Sequence, residues 1–355
     1  MTVRHAIPLL AGVVALAAPS SAAAFQIGIQ DDGAFVLGSA AKRAKSLDYA
    51  HGMGVTYLRI TMVWEGFRND GFAPYDDAVN DARKRGMTVQ LTVTGNPTFT
   101  KRGRGYLGYR YPSPSRYGRW IAQVARHFRG RVAAYSVWNE PNLVNYLAPQ
   151  IVGRKPHRRA VGHILYARLV RAGYRAVKRA DPRAKVLIGE TAPSNLPLRF
   201  IERAARALPG GLRADGWAQH PYQFVKVSPR RPQRRYTGGI SNVGAMKAAM
   251  RRLARTHKLR TGSGAPLPIY FTEFGYPRPG AYYGFFSEVL RNRYTLEAFR
   301  LAKRSGVQVL VWYQLYNNPG RAHAGLWDTG LIGVDGRQSS LYKRLVAARA
   351  SLAGF

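Results

Sequence analysis

The segment SVWNEPN, residues 136–142, places Asn139 and Glu140 where an apolar run gives out, and YFTEFGY, 270–276, does the same with Glu273. A carboxylate at the end of a nearly apolar strand is costly if buried without partners, so it must be paired, hydrogen-bonded or functional. Only 18 of the 355 residues are acidic, so two in such positions stand out. Two carboxyls facing each other across a pocket can cleave a glycosidic bond, one giving a proton and the other acting as nucleophile or base. Desolvation and a neighbouring negative charge keep the first protonated, while a cation and hydrogen bonds keep the second ionised. Arg59 and Tyr222 are the residue types that the second carboxylate needs. Such chemistry calls for no metal and no cofactor.

Other polar and aromatic residues fall at comparable positions: Arg59 within 57–64, His220 and Tyr222 ending 215–222, and Trp312 within 307–315. Each taken singly has a structural alternative. Arg59 can be a salt-bridging surface residue, His220 a satisfied core histidine and Trp312 plain core. No strand end carries a lysine, which disfavours Schiff-base chemistry.

Positioning these groups requires a regular scaffold, and eight strand-like runs supply one: 25–30, 57–64, 88–95, 132–140, 185–190, 215–222, 268–276 and 307–315. Several are apolar on both faces, as parallel strands covered by helices tend to be. Between them apolar residues recur at helical spacing, as in Trp120, Val124 and Phe128, or Tyr166, Leu169, Val170, Gly173 and Val177. Strict alternation predicts a (β/α)8 TIM barrel in a single domain, 25–355, with a doubly wound open sheet as the alternative. In such a barrel the chemistry sits at the C-terminal ends of the strands, where these residues fall. GRGYLG, 103–108, matches a dinucleotide-binding spacing, yet no strand directly precedes it and YRYPSPS follows, so it reads as a loop.

W-N-E-P-N, H-P-Y and T-E-F-G-Y together resemble glycoside hydrolase clan A, the retaining (β/α)8 glycosidases with glutamates on the fourth and seventh strands. The resemblance implies Glu140 as acid/base and Glu273 as nucleophile. It implies further that Asn139 bonds the sugar 2-hydroxyl, Arg59 and Tyr222 hold Glu273, His220 lines the subsite and Trp312 stacks beneath the sugar ring. Family 5 members often carry a His at the end of the third strand, where this chain has Asn96. H-P-Y with W-N-E-P-N leans toward family 39 or the cellulase-like exported members. A retaining pair is expected about 5–5.5 Å apart.

The first residues read as a secretory signal peptide, 1–24: Arg4, an apolar run at 6–18, then small residues to Ala24. The run falls short of the roughly 20 residues a bilayer requires, so no integral membrane association is expected. The absence of cysteine excludes thiol catalysis and Cys-ligated zinc. The net charge of +37 should attract anionic polymers. Export argues against nucleic acid, and an Arg-rich solvated surface accounts for the charge equally well.

Three loops on the expected catalytic face carry bases and no acids: Lys101, Arg102, Arg104, Arg110 and Arg116; Arg154, Lys155, Arg158 and Arg159; and Lys226, Arg230, Arg231, Arg234 and Arg235. Tyr106, Tyr109, Tyr111, Tyr146 and Tyr236 share them. The expectation is a secreted retaining glycosidase acting in polysaccharide degradation, on a neutral or an anionic glycan. A catalytically silent glycan-binding barrel and a transglycosylase using the same glutamates are the alternatives.

Overall fold

The computed structural model describes residues 24–64, 71–95, 108–223, 227–234, 236–284, 286–318 and 327–352. Residues 1–23 of the expected signal peptide, the GRGYLG loop up to 107, Asn96, Lys101, Arg102, Arg104, Tyr106, Lys226 and Arg235 lie outside these.

Eight parallel strands close into a barrel: β1 (Gln26–Gln30), β2 (Tyr57–Val63), β3 (Thr88–Thr94), β4 (Ala134–Val137), β5 (Lys185–Thr191), β6 (Gly216–Gln219), β7 (Ile269–Phe274) and β8 (Val309–Tyr313). Each pairs with its sequence neighbours, and β1 closes on β8. Around it run α1 (Ala40–Gly52), α2 (Ala73–Lys84), α3 (Pro114–His127), α4 (Gly162–Ala180), α5 (Pro197–Arg206), α6 (Val243–Arg255), α7 (Glu288–Arg304) and α8 (Ser340–Leu352). The (β/α)8 expectation is met.

Local sequence explains the helix starts. Ser39, Ser113 and Ser287 each accept a backbone N–H in the first turn of α1, α3 and α7. Trp120, Val124 and Phe128 are buried, as are Tyr166, Leu169, Val170, Gly173 and Val177. A Cβ on Gly173 would meet the Val137 and Tyr117 side chains at 3.0 and 3.1 Å, so a larger residue there would press them back.

The strand alternation sorts the barrel interior by height. Tyr57, Ala134, Leu187, Ala218, Tyr270, Val309 and Val311 form an apolar cluster. One repeat further toward the C-terminal ends, Arg59, Ser136 and Thr272 point the same way and are all buried. The interior thus changes from apolar to polar before it opens.

Strands β4 and β8 end earlier than the expected 140 and 315, for a physical reason. After β4 the chain turns left-handed at Trp138 (φ 70°) and Glu140 (φ 42°), and after β8 at Gln314 (φ 70°), which ends the ladders. Asn139 and Glu140 stand just beyond the strand rather than in it. Such conformations cost about 1–3 kcal/mol each for a non-glycine residue and concentrate at functional sites.

Two register shifts do similar work. On β7, Phe271 and Phe274 pair with Leu310 and Trp312, three residues against two. The bulge brings both Thr272 and Glu273 to the polar side of the barrel. On β5 the shift lies between Gly189 and Thr191, at Glu190 (φ 44°).

Candidate active site

A cleft of about 570 Å³ opens at the C-terminal ends of the strands, walled by Asp32, Asn139, Glu140, Tyr222, Glu273 and Tyr313 among others. One oxygen each of Glu140 and Glu273 and one nitrogen of His220 lie within 4.8 Å of one another. The bulge on β7 and the left-handed turn after β4 are what bring the two glutamates face to face.

Glu273 is held from two sides. Arg59 Nη1 donates to its Oε1 at 2.7 Å and Tyr222 Oη to its Oε2 at 3.2 Å. Burial, then the charge of Glu273, pushes the Tyr222 phenol well up, so it remains a donor. Arg59 is fully buried and donates through Nη2 to Asn139 Oδ1 at 2.9 Å. Asn139 therefore offers its amide nitrogen to whatever fills the cleft.

Glu140 has the opposite surroundings. Its side chain is 14% exposed, and burial raises its carboxyl above the usual range, against the lowering effect of the hydrogen bond from His220. Its backbone N–H donates to Glu190 O at 2.9 Å, fixing the turn.

His220 lies beneath both glutamates rather than lining the cleft wall, and it is wholly buried. Its Nδ1 donates to Glu140 Oε1 at 3.0 Å and its Nε2 to Glu190 Oε2 at 2.8 Å. Burial alone would pull its pKa down; Glu273, Glu140 and Glu190 outweigh that and push it up to about 9. Glu140, His220 and Glu273 are residue types that bind a metal, and here both His220 nitrogens are engaged by carboxyls, Glu140 and Glu190.

Glu190, at the end of β5, is the site residue that sequence reasoning missed. It is fully buried and accepts from Arg59 Nη2 (2.9 Å), Gln90 Nε2 (2.8 Å), Thr272 Oγ1 (2.8 Å), His220 and Ser136. Burial would raise its pKa, but Arg59 and His220 bring it down to about 2. The signal was present: KVLIGE ends an apolar run on an acid, the same pattern that singled out Glu140 and Glu273. The buried cluster thus sets two basic groups, Arg59 and His220, among three carboxyls, Glu140, Glu190 and Glu273.

Trp312 corrects an expectation. It is 1% exposed, donates to Thr329 O at 3.1 Å, and packs against Phe274 and the Arg291 guanidinium on the outer side of the barrel. Strand alternation decides this: Val309 and Val311 face inward, so Tyr313 faces the cleft and Trp312 does not. Tyr313 and Trp327 are the aromatic residues at the cleft from this end of the chain. Among the described residues, no Lys or Arg lines the cleft, and Arg230 of the basic loops is paired with Glu297.

Solved structures superpose on this architecture. A family 39 glycoside hydrolase from the gut symbiont Bacteroides cellulosilyticus WH2 matches with a TM-score of 0.68 at 17% identity, over 92% of this chain and 64% of that one. The shared fold is the (β/α)8 barrel. A glucosidase from Croceicoccus marinus shares that barrel with a TM-score of 0.63 at 16% identity, covering 93% and 68% of the two chains. A fungal β-1,4-galactanase matches at 0.57 and 13%, covering 91% and 99%. The chain thus spans about two thirds of the first two glycosidase-barrel structures and nearly all of the third. No family profile and no curated protein matches the sequence. Among the described residues, no helix is long and apolar enough to cross a membrane.

Proposed function

We propose that the protein is a secreted retaining glycoside hydrolase of clan A. The observation that carries this reading is the spacing of Glu140 and Glu273, whose nearest ligand atoms fall within 4.8 Å around His220. An inverting pair stands about 6.5–9.5 Å apart to admit a water between the carboxyls. The unequal surroundings of the two acids add support.

In the first step a Glu273 carboxylate oxygen bonds to the anomeric carbon as the bond to the leaving oxygen breaks. Glu140 gives its proton to that oxygen. The Glu140 carboxylate so formed lies beside charged His220, which lowers the cost of releasing the proton. In the second step Glu140 takes a proton from water, whose oxygen bonds to the anomeric carbon and frees Glu273. Arg59 and Tyr222 hold Glu273 for attack, and Asn139 presents its amide to the sugar. Export rests on the leader-like residues 1–24. A silent binding barrel would have no use for this pairing of unlike carboxyls.

Incubation with a panel of 2-deoxy-2-fluoroglycosides is expected to add one sugar mass, located on Glu273 by peptide mapping, and NMR of early product is expected to show retained configuration. No adduct with any sugar, or an inverted product, would reject the reading. Trp312 and Tyr313 are separable in the same assays. Trp312→Ala is expected to cost about 3–5 kcal/mol of stability, read by urea titration, whereas Tyr313→Ala is expected to raise KM severalfold. A Trp312→Phe variant with raised KM would put that ring back at the substrate.

A further inference from the structure

Behind the Glu140 wall of the cleft lies a second cavity, of about 490 Å³, whose charge is of the opposite sign. The two cavities share their walls. Leu143, Ala192, Pro193 and Ser194 face the cleft, while Asn142, Val144, Asn195 and Leu196 face the second cavity. Asn142, two residues beyond Glu140, pins the dividing ridge by donating to Ala192 O and Ser194 O at 3.0 and 2.7 Å and accepting from Ala192 N at 2.9 Å. The ridge is therefore built, and residues adjacent in sequence line the two cavities.

His163 from α4 and Arg199 and Arg203 from α5 line this cavity, and no acid does. The arginines stand four residues apart, on one face of the helix. Among the described residues neither is paired with a carboxylate. The nearby Glu202 is committed to Arg252. His163 is half-buried, and its burial, then the charge of Arg203, lowers its pKa. A shallower cavity bounded by Arg206 and by Glu202, the partner of Arg252, continues from the same three side chains.

The cleft itself is the wrong place for an anion. Asp32, Glu140 and Glu273 line it, and the cations beneath it, Arg59 and His220, are already bonded to Glu190, Glu273 and Glu140. Asp32 accepts from Thr61 N at 2.9 Å and Gln30 Nε2 at 3.0 Å, which holds it at the β1 end, away from Glu140. Charge along the two cavities is thus segregated.

We infer that His163, Arg199 and Arg203 form a subsite on the leaving-group side for an anionic group of the substrate, a carboxylate or a phosphate, while an uncharged sugar fills the cleft. The inference rests on Glu140 as proton donor, because the leaving oxygen must lie on that residue's side. A polymer leaving the cleft across Ser194 and Val144 meets the arginines next. The exposed guanidiniums suit either planar carboxylate or tetrahedral phosphate.

The test is a calorimetric titration of the full chain with tetragalacturonate and with a glycerol-phosphate tetramer, with His163 and His220 followed by imidazole NMR. At least one probe is expected to bind and shift the His163 signals, and the tighter of the two names the anion. Arg199→Gln/Arg203→Gln is expected to weaken that binding at least tenfold. A control pair of equal charge on α6, Arg251→Gln/Arg255→Gln, is expected to change it less than twofold. Equal losses in the two pairs, a shift confined to His220, or no binding of either probe would overturn the subsite. A catalytically silent barrel would fail fluorosugar labelling and still pass this titration, so the two readings fail separately.

Discussion

Glu273→Gln is expected to lower kcat/KM on a cleaved glycoside by at least about 10⁴-fold, since it removes the atom that forms the covalent bond. The glutamine keeps the shape, and its one amide oxygen can still accept from Arg59 Nη1 while its amide nitrogen donates to Tyr222 Oη in place of the bond Tyr222 gives Glu273. The variant should therefore give wild-type far-UV circular dichroism, which separates loss of chemistry from loss of fold. Glu140→Ala is expected to behave differently. A substrate with a good leaving group needs no proton, so its first step survives, and added azide replaces the missing base by attacking the anomeric carbon directly. Rescue of Glu140→Ala by azide with a glycosyl azide as product, and no such retained product from Glu273→Ala, is the expected pair of results. Wild-type turnover by either glutamine variant would remove these residues from the chemistry.

Glu190→Gln is expected to be the most damaging change to a residue that touches no substrate. It leaves Arg59 and His220 buried with one carboxylate fewer, and breaking a buried ion pair costs about 3–5 kcal/mol. The pH dependence is the readout that mere packing would not move. His220 titrates at about 9 in the fold, against about 6.5 in an unfolded chain. Its contribution to stability is thus complete below pH 6.5 and lost as pH rises through 9. Glu190 titrates at about 2, below its ordinary range, so its contribution is complete above about pH 4.5 and lost as pH falls through 2. Both are in full effect between about pH 4.5 and 6.5. In Glu190→Gln the alkaline loss should begin at lower pH, because His220 has lost an anion, and the acid-side loss should shrink. Melting temperatures across pH 2–10, with the His220 imidazole followed by NMR, check this. A His220 pKa unmoved by the substitution would show that Glu190 does not hold the imidazole charged.

Much of the barrel was determined by local pattern. The eight apolar runs at β1 to β8 and the helical spacing of Trp120, Val124 and Phe128 or Tyr166, Leu169 and Val177 depend on alternation and periodicity, which a single chain displays directly. Glu140 and Glu273 were legible because a carboxylate closing an apolar run is costly, and cost marks it. Three things were decided only by tertiary structure. Trp312, expected beneath the sugar, lies on the outer side of the barrel, because which face of β8 points inward follows from its pairing with β1 and β7, and composition carries no such sign. Thr272 and Glu273 both face inward because a bulge on β7 breaks the alternation, and a bulge is a property of two strands in register. Glu190 and His220 became one charged cluster with Arg59 because strands far apart in sequence converge on the barrel axis. Charge balance among buried groups is set by distances in space, which sequence separation does not encode.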